Sequence, residues 1–291
     1  MRSLILGALL IAGGALPAGA ATTVPLLMLG DGHFGVNVSV GGRAPQLFAI
    51  DTGAEMTYAP NSLVTRLGLK SVGTFSFLSP SGMGFQVPMY ALPPLRIGDV
   101  TLPGTFAEDW DGLDKFAVPP LLSLWSFTDG PVTFDLAKKT LTFEDAGSFA
   151  AITRNAQRAP LAAARDRDRS LLVFVDVDFP NGAHGQCLLD TGSGATTLDA
   201  RYLPAFGMNK SGDARVLTTY SEQPEGPRRE YTAKIASIAL SAAPSLRMTN
   251  AQVAFIDHPI YDCELGNDFW VGNVFTLDLP HDAMYVVAAK G

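Results

Sequence analysis

Cysteine, histidine and basic charge are all scarce in this chain. Two cysteines, Cys187 and Cys263, occur in 291 residues, too few for a disulfide-built scaffold. The four histidines (His33, His184, His258 and His281) show no metal-ligand spacing and read as surface or satisfied polar residues; no metal or cofactor is expected. Lys and Arg number 21 against 28 acidic residues, a net charge of −7. That disfavours nucleic acid as a partner, because phosphate binding wants a basic surface. No G-x-S-x-G elbow and no P-loop occurs. A G-x-G-x-x-G match spans Gly30, Gly32 and Gly35, but the alternating Val36, Val38 and Val40 that follow form a strand pattern. A dinucleotide site needs a helix there, so this stretch reads as a hairpin turn.

Long apolar runs are absent beyond the first residues. Arg2 precedes an apolar stretch over residues 4–16, which Pro17 breaks before Ala18-Gly19-Ala20. This is a signal-peptide pattern over residues 1–21, and the chain is expected to be exported, periplasmic or secreted. The run is too short to span a bilayer comfortably, so no stable membrane insertion is expected after cleavage. The remainder, in a chain 47% apolar and 17% charged, suits a well-buried globular protein. An exported chain with two cysteines forms either one disulfide or two buried thiols. Cys187 lies three residues before Asp190 and Cys263 three before Gly266; the sequence leaves both readings open.

What is present is a repeat. Asp-Thr-Gly occurs at Asp51-Thr52-Gly53 and again at Asp190-Thr191-Gly192. A given tripeptide arises by chance about once in 8,000 positions. Each copy ends an apolar run, and each run follows an alternating strand and a turn: residues 34–40 and then Gly41 to Pro45 in the first half, residues 171–179 and then Pro180 to Gly185 in the second. After each copy a short helix ending in glycine is expected, at residues 61–67 before Gly68 and at 199–206 before Gly207, the latter shortened or kinked by Pro204. Residues 133–143 and 276–286 share Thr-apolar-Asp-Leu, a turn and a strand, a hairpin closing each half. Between the halves, residues 145–170 are rich in Ala and Arg and read as a solvated, partly helical connection. The chain therefore divides into residues 22–147, a connection over 148–169, and residues 170–291.

Two Asp-Thr-Gly loops in one duplicated, exported, β-rich chain resemble the aspartic peptidase superfamily. Their spacing and brevity are similar to retropepsin-like proteases joined as two units. The resemblance covers nearly all of residues 24–288. It implies an all-β, bilobal fold, two barrel-like lobes with a cleft between them, and a single-chain site that needs no dimer. It implies that Asp51 and Asp190 are catalytic and that Thr52, Gly53, Thr191 and Gly192 brace the loops. The physics fits: the glycines allow close backbone approach, the threonine hydroxyls donate and accept, and two adjacent carboxylates titrate as a pair with split pKa values.

The resemblance further implies an apolar-apolar-Gly strand behind each loop. The second half supplies Glu264-Leu265-Gly266. The first supplies Leu121-Leu122-Ser123, with Ser123 in place of glycine and Trp125 in place of Asp268. Flap hairpins are expected around residues 79–85 and 220–227, with Met83, Phe85 and Tyr220 candidate substrate contacts; their alternative role is packing on their own hairpins. The expected activity is an aspartic endopeptidase acting on peptide or protein substrates as a monomer. The alternative, motivated by Ser123 and Trp125, is an inactive peptide-binding protein on the same scaffold.

Overall fold

A computed structural model of the chain describes residues 20–30, 32–78, 83–109, 118–166, 169–221 and 227–287. The expected leader lies outside these residues apart from its last two positions, and so do the tips of both expected flaps.

The first lobe is a ten-stranded sheet. From one edge, its strands run Ser71–Leu78, Gly84–Ala91, Phe106–Glu108, Thr57–Tyr58, Leu121–Leu122, Gln46–Ile50, Phe34–Val40, Leu95–Ile97 and Val100–Leu102, with Leu27–Met28 added beside Phe34–Val40. The second lobe repeats that order strand for strand: Val216–Ser221, Arg228–Lys234, Gln252–Ile256, Thr197–Asp199, Cys263–Leu265, His184–Leu189, Ser170–Asp178, Ser237–Leu240 and Ala243–Thr249, with Ala162–Asp166 as the added strand. The alternation seen in the sequence decides which faces are buried. Val36, Val38 and Val40 point inward and Asn37 outward, the period of two that a one-sided sheet requires. Leu27–Met28 and Phe34–Val40 pair antiparallel, Leu27 opposite Gly35, as the hairpin reading expects.

A six-stranded sheet joins the lobes. The two closing hairpins meet at its centre, where Val132–Asp135 runs antiparallel to Val274–Asp278 and places Thr133 opposite Thr276 and Phe134 opposite Phe275. The threonine hydroxyls are 2.7 Å apart and the phenylalanine rings stack at 5.1 Å. Thr133 and Thr276, which occupy equivalent places in the two hairpins, thus meet each other on an approximate twofold axis, with the Phe134–Phe275 and Val132–Leu277 pairs on either side of it.

The first expected helix forms at Asn61–Leu67 and stops at Gly68, whose φ of 68° is left-handed. Its counterpart, Ala200–Phe206, is a 3-10 helix with Pro204 inside it, ending on left-handed Gly207; the proline removes the N–H that an α-helix would use. The stretch read as a solvated connection is more structured than its composition suggests. It holds a helix, Ala146–Thr153, started by an Asp145–Ser148 capping box. Next, Gln157–Pro160 becomes an edge of the joining sheet against Ala283–Val286, and Ala162–Asp166 pairs with Ser170–Asp178. Cys187 and Cys263 sit opposite each other on neighbouring parallel strands and form a disulfide, which settles the question the sequence left open.

Candidate active site

Both Asp-Thr-Gly loops leave the ends of central strands. Gln46–Ile50 runs parallel to Leu121–Leu122, and His184–Leu189 runs parallel to Cys263–Leu265. The N–H of Asp51 donates to the Leu122 carbonyl at 3.0 Å, and that of Asp190 to the Leu265 carbonyl at 3.1 Å. Each loop is therefore hung from the strand behind it by the same bond.

The two threonines lock the loops to one another. The N–H of Thr191 donates to Thr52 Oγ1 at 2.8 Å, and the N–H of Thr52 to Thr191 Oγ1 at 3.2 Å. Each hydroxyl then donates across to the opposite strand end, Thr52 to the Leu189 carbonyl at 2.8 Å and Thr191 to the Ile50 carbonyl at 2.9 Å. Both side chains are buried, so these four bonds are shielded from water and each partner group would be costly to orphan.

One residue outward, each glycine lies against the opposite carboxylate. A Cβ on Gly53 would fall on Asp190, and a Cβ on Gly192 would fall on Asp51. Asp51 Oδ1 accepts from the N–H of Gly53 at 2.9 Å. Asp190 Oδ1 accepts from Gly192 at 2.9 Å and from Ser193 at 3.2 Å. Asp51 and Asp190 are thus brought together, oriented by backbone donors and half-buried at the meeting point of the lobes.

Burial raises the pKa of Asp51, opposed by the N–H groups of Gly53 and Ala54, by His33 and by the Asp190 carboxyl. Burial pushes Asp190 further up, with the charges of Asp51 and Glu264 adding to it. Both carboxyls are thus biased toward their protonated forms, and in contact they titrate as a coupled pair whose two ionisations are split. An ionised member can take a proton from water, and a protonated one can polarise a carbonyl.

Ser123 is accommodated. In the second lobe, Gly266 has no room for a side chain, since a Cβ would lie 2.5 Å from the Ala195 backbone; Thr196 there donates through both N–H and Oγ1 to Asp268, at 2.8 and 2.7 Å. In the first lobe, Trp125 supplies no carboxylate, and the buried Ser123 hydroxyl stands 3.4 Å from Thr57 Oγ1 instead. Ser123 thereby gives Thr57 a polar partner where Thr196 has Asp268.

The expected flap hairpins are present as Ser71–Leu78 with Gly84–Ala91 and as Val216–Ser221 with Arg228–Lys234. Phe85 stacks on Phe77 of its own hairpin at 5.3 Å. Met83 and Tyr220 are exposed. Tyr58 meets Phe77 edge-on at 6.4 Å and links the first loop to that hairpin.

Sequence reasoning missed three groups here. His33, read as an ordinary polar residue, places Nε2 2.8 Å from the Gly192 carbonyl. Glu264, noted for the strand it lies on, puts a carboxylate beside the pair, held by Thr197 Oγ1 at 3.1 Å. Glu108 is fully buried beside Tyr58, and burial raises its pKa to about 8. A glutamate within the apolar strand pattern 106–108 was the available signal for the last; nothing local marked His33. Among the described residues, no cluster of three or more His, Cys, Asp or Glu side chains is arranged to hold a metal ion.

Residues 36–109, which hold the first loop, its helix and its hairpin, match the family described as aspartyl protease. The solved structure of basic 7S globulin from soybean superposes with a TM-score of 0.53 at 11% identity, over 93% of this chain and 95% of that one. The chain has the aspartic peptidase fold. That fold explains why two short loops from separate lobes converge, since its lobes meet about the axis on which Thr52 and Thr191 lie. No curated protein sequence is significantly similar to the chain.

Proposed function

We propose that the protein is an aspartic endopeptidase that hydrolyses peptide bonds with a water activated by Asp51 and Asp190. The reciprocal Thr52–Thr191 bonding carries this reading, because it fixes the two carboxyls against each other. Ionised Asp51 removes a proton from the attacking water while Asp190 donates its proton to the scissile carbonyl oxygen, so the tetrahedral intermediate forms without a covalent bond to the enzyme. The substrate is a peptide or protein strand lying between the two hairpins, with Met83, Phe85 and Tyr220 in the segments nearest it. The residue 36–109 match supports the peptidase class.

The alternative of an inactive peptide-binding protein rested on Ser123 and Trp125. Both loops hang from their strands by the same bond, so those substitutions do not favour it. We also propose export to an oxidising compartment, supported by the Cys187–Cys263 disulfide, a duplicated origin, supported by the common strand order, and action as a monomer, supported by both carboxyls lying in one chain. The assay is cleavage of an unfolded protein substrate between about pH 3 and 8, the range a carboxyl pair covers, with and without a peptide inhibitor that mimics the tetrahedral intermediate. Inhibitor-sensitive cleavage supports the endopeptidase; inhibitor binding with no product at any pH supports the alternative.

A further inference from the structure

We propose that His33 is a positioning residue for the Asp51–Asp190 pair, acting through the carbonyl of Gly192; this rests on the peptidase reading of that pair. His33 ends the turn after Leu27–Met28 and opens the strand Phe34–Val40 of the first lobe. A carbonyl oxygen only accepts, so the 2.8 Å contact requires a proton on Nε2, which donates to Gly192. The bond spans the two lobes. Its target is the residue on which Asp51 rests, since a Cβ at Gly192 would overlap the Asp51 carboxyl. The threonines pin the loops together from their buried side. His33 pins the Asp190 loop from the solvent side, one residue further out.

The second lobe has no matching side chain. Gly35 pairs with Ala49, two residues before Asp51, and Phe174 pairs with Leu188, two residues before Asp190. Leu172 therefore stands where His33 does, and it is buried and apolar. On that side, the outer tie is made by the backbone: the N–H of Leu171 donates to the Glu55 carbonyl at 2.9 Å. Among the described residues, each loop thus has an outer cross-lobe tie, and that to the Asp190 loop is made by a histidine side chain.

Among the described residues, the titratable groups that bear on Asp51 include Asp190, Glu264, Tyr58 and His33. The first three are acids and His33 is the base among them. A positive His33 favours ionised Asp51, so removing it moves the first ionisation of the pair to higher pH.

The test compares wild type, His33→Ala and His33→Gln in full-length folded protein, by peptide hydrolysis across pH and by ¹³C NMR titration of the aspartate carboxyls. Loss of the tie in His33→Ala lowers kcat about 10-fold with KM nearly unchanged, because it misplaces reacting groups rather than removing a substrate contact. It also moves the acid limb of kcat/KM to higher pH. His33→Gln keeps a donor and carries no charge, so it recovers most of kcat and keeps the shifted limb. Unchanged kcat and pH profile in His33→Ala, or a loss confined to KM, overturns the proposal, as does His33→Gln no better than His33→Ala. If wild type hydrolyses nothing, or Asp190→Asn remains active, the peptidase reading fails, and the NMR titration still decides on His33. A first carboxyl ionisation moved upward in both His33→Ala and His33→Gln upholds the placement of His33 against the pair; an unmoved one overturns the proposal.

Discussion

The hydroxyls of Ser123 and Thr57 lie 3.4 Å apart in the buried heart of the first lobe. Their counterparts in the second lobe are Gly266, which contributes its N–H to Thr196 Oγ1 at 3.2 Å, and Thr196, which donates twice to Asp268 where the first lobe has Trp125. The lobes thus reach the same loop geometry with different polar partners. Ser123→Ala removes a long hydrogen bond and costs about 1 kcal/mol. Gly266→Ser drives a side chain into the Ala195 backbone and costs about 3 kcal/mol or more. Urea denaturation of the two variants checks the contrast; equal losses would show that the lobes are not compensated in this way.

The threonine bonds make a sharper case. Thr52→Val keeps the shape of the side chain but leaves the Thr191 N–H and the Leu189 carbonyl without partners in a dry site. Stability falls by about 3 kcal/mol, and hydrolysis falls with it. Thr52→Ser keeps the hydroxyl, loses one methyl and costs about 1 kcal/mol. A Thr52→Val protein as stable as Thr52→Ser would show that the bonds contribute little.

Gly192→Ala places a methyl group on the Asp51 carboxyl. Asp51 must move, and a displacement of about 1 Å at the reacting groups costs about 100-fold in kcat. Circular dichroism should stay near wild type, because the substitution lies at a loop tip and not in a strand. Full activity in Gly192→Ala would mean that Asp51 does not rest where it is described.

The buried acids set the pH dependence of stability. Burial raises the pKa of Glu108 from 4.5 to about 8, so the folded state binds that proton more tightly than the unfolded chain does. Its neutral form suits the fold up to about pH 4.5, and stability is then lost as pH rises toward 8. An upper bound on the loss is about 5 kcal/mol. Asp51, Asp190 and Glu264 are raised as well and add to the same slope. Denaturation of wild type should give a midpoint that falls between pH 5 and 8, and Glu108→Gln should flatten most of that decline. A midpoint that rises over this range contradicts the assignment.

Much of this site was legible in the sequence because it is local. Asp51-Thr52-Gly53 and Asp190-Thr191-Gly192 carry the turn, the hydroxyl and the carboxyl within three residues each, and the strand, helix and closing hairpin recur around both. Pro204 announced its own effect on the second helix. What was not legible comes from distant parts of the chain meeting. His33 reaches Gly192 across 159 residues, and no local pattern marks such a partner. Gln157–Pro160 reads as a polar, charged linker because it is an edge strand, whose composition is dominated by its exposed side chains. Ser123 read as a defect, since its compensating neighbour Thr57 becomes visible only when Leu121–Leu122 packs beside Thr57–Tyr58.

The central claim is that one carboxyl pair performs the chemistry, and Asp190→Asn tests it most directly. The variant keeps the size of the side chain and the Thr52–Thr191 bonds while removing a carboxyl that burial and the Asp51 charge bias toward its protonated form. Side by side with wild type on the same peptide substrate, it should lose at least about 100-fold in kcat/KM while still binding the inhibitor-like peptide. Hydrolysis by Asp190→Asn at the wild-type rate would contradict the account.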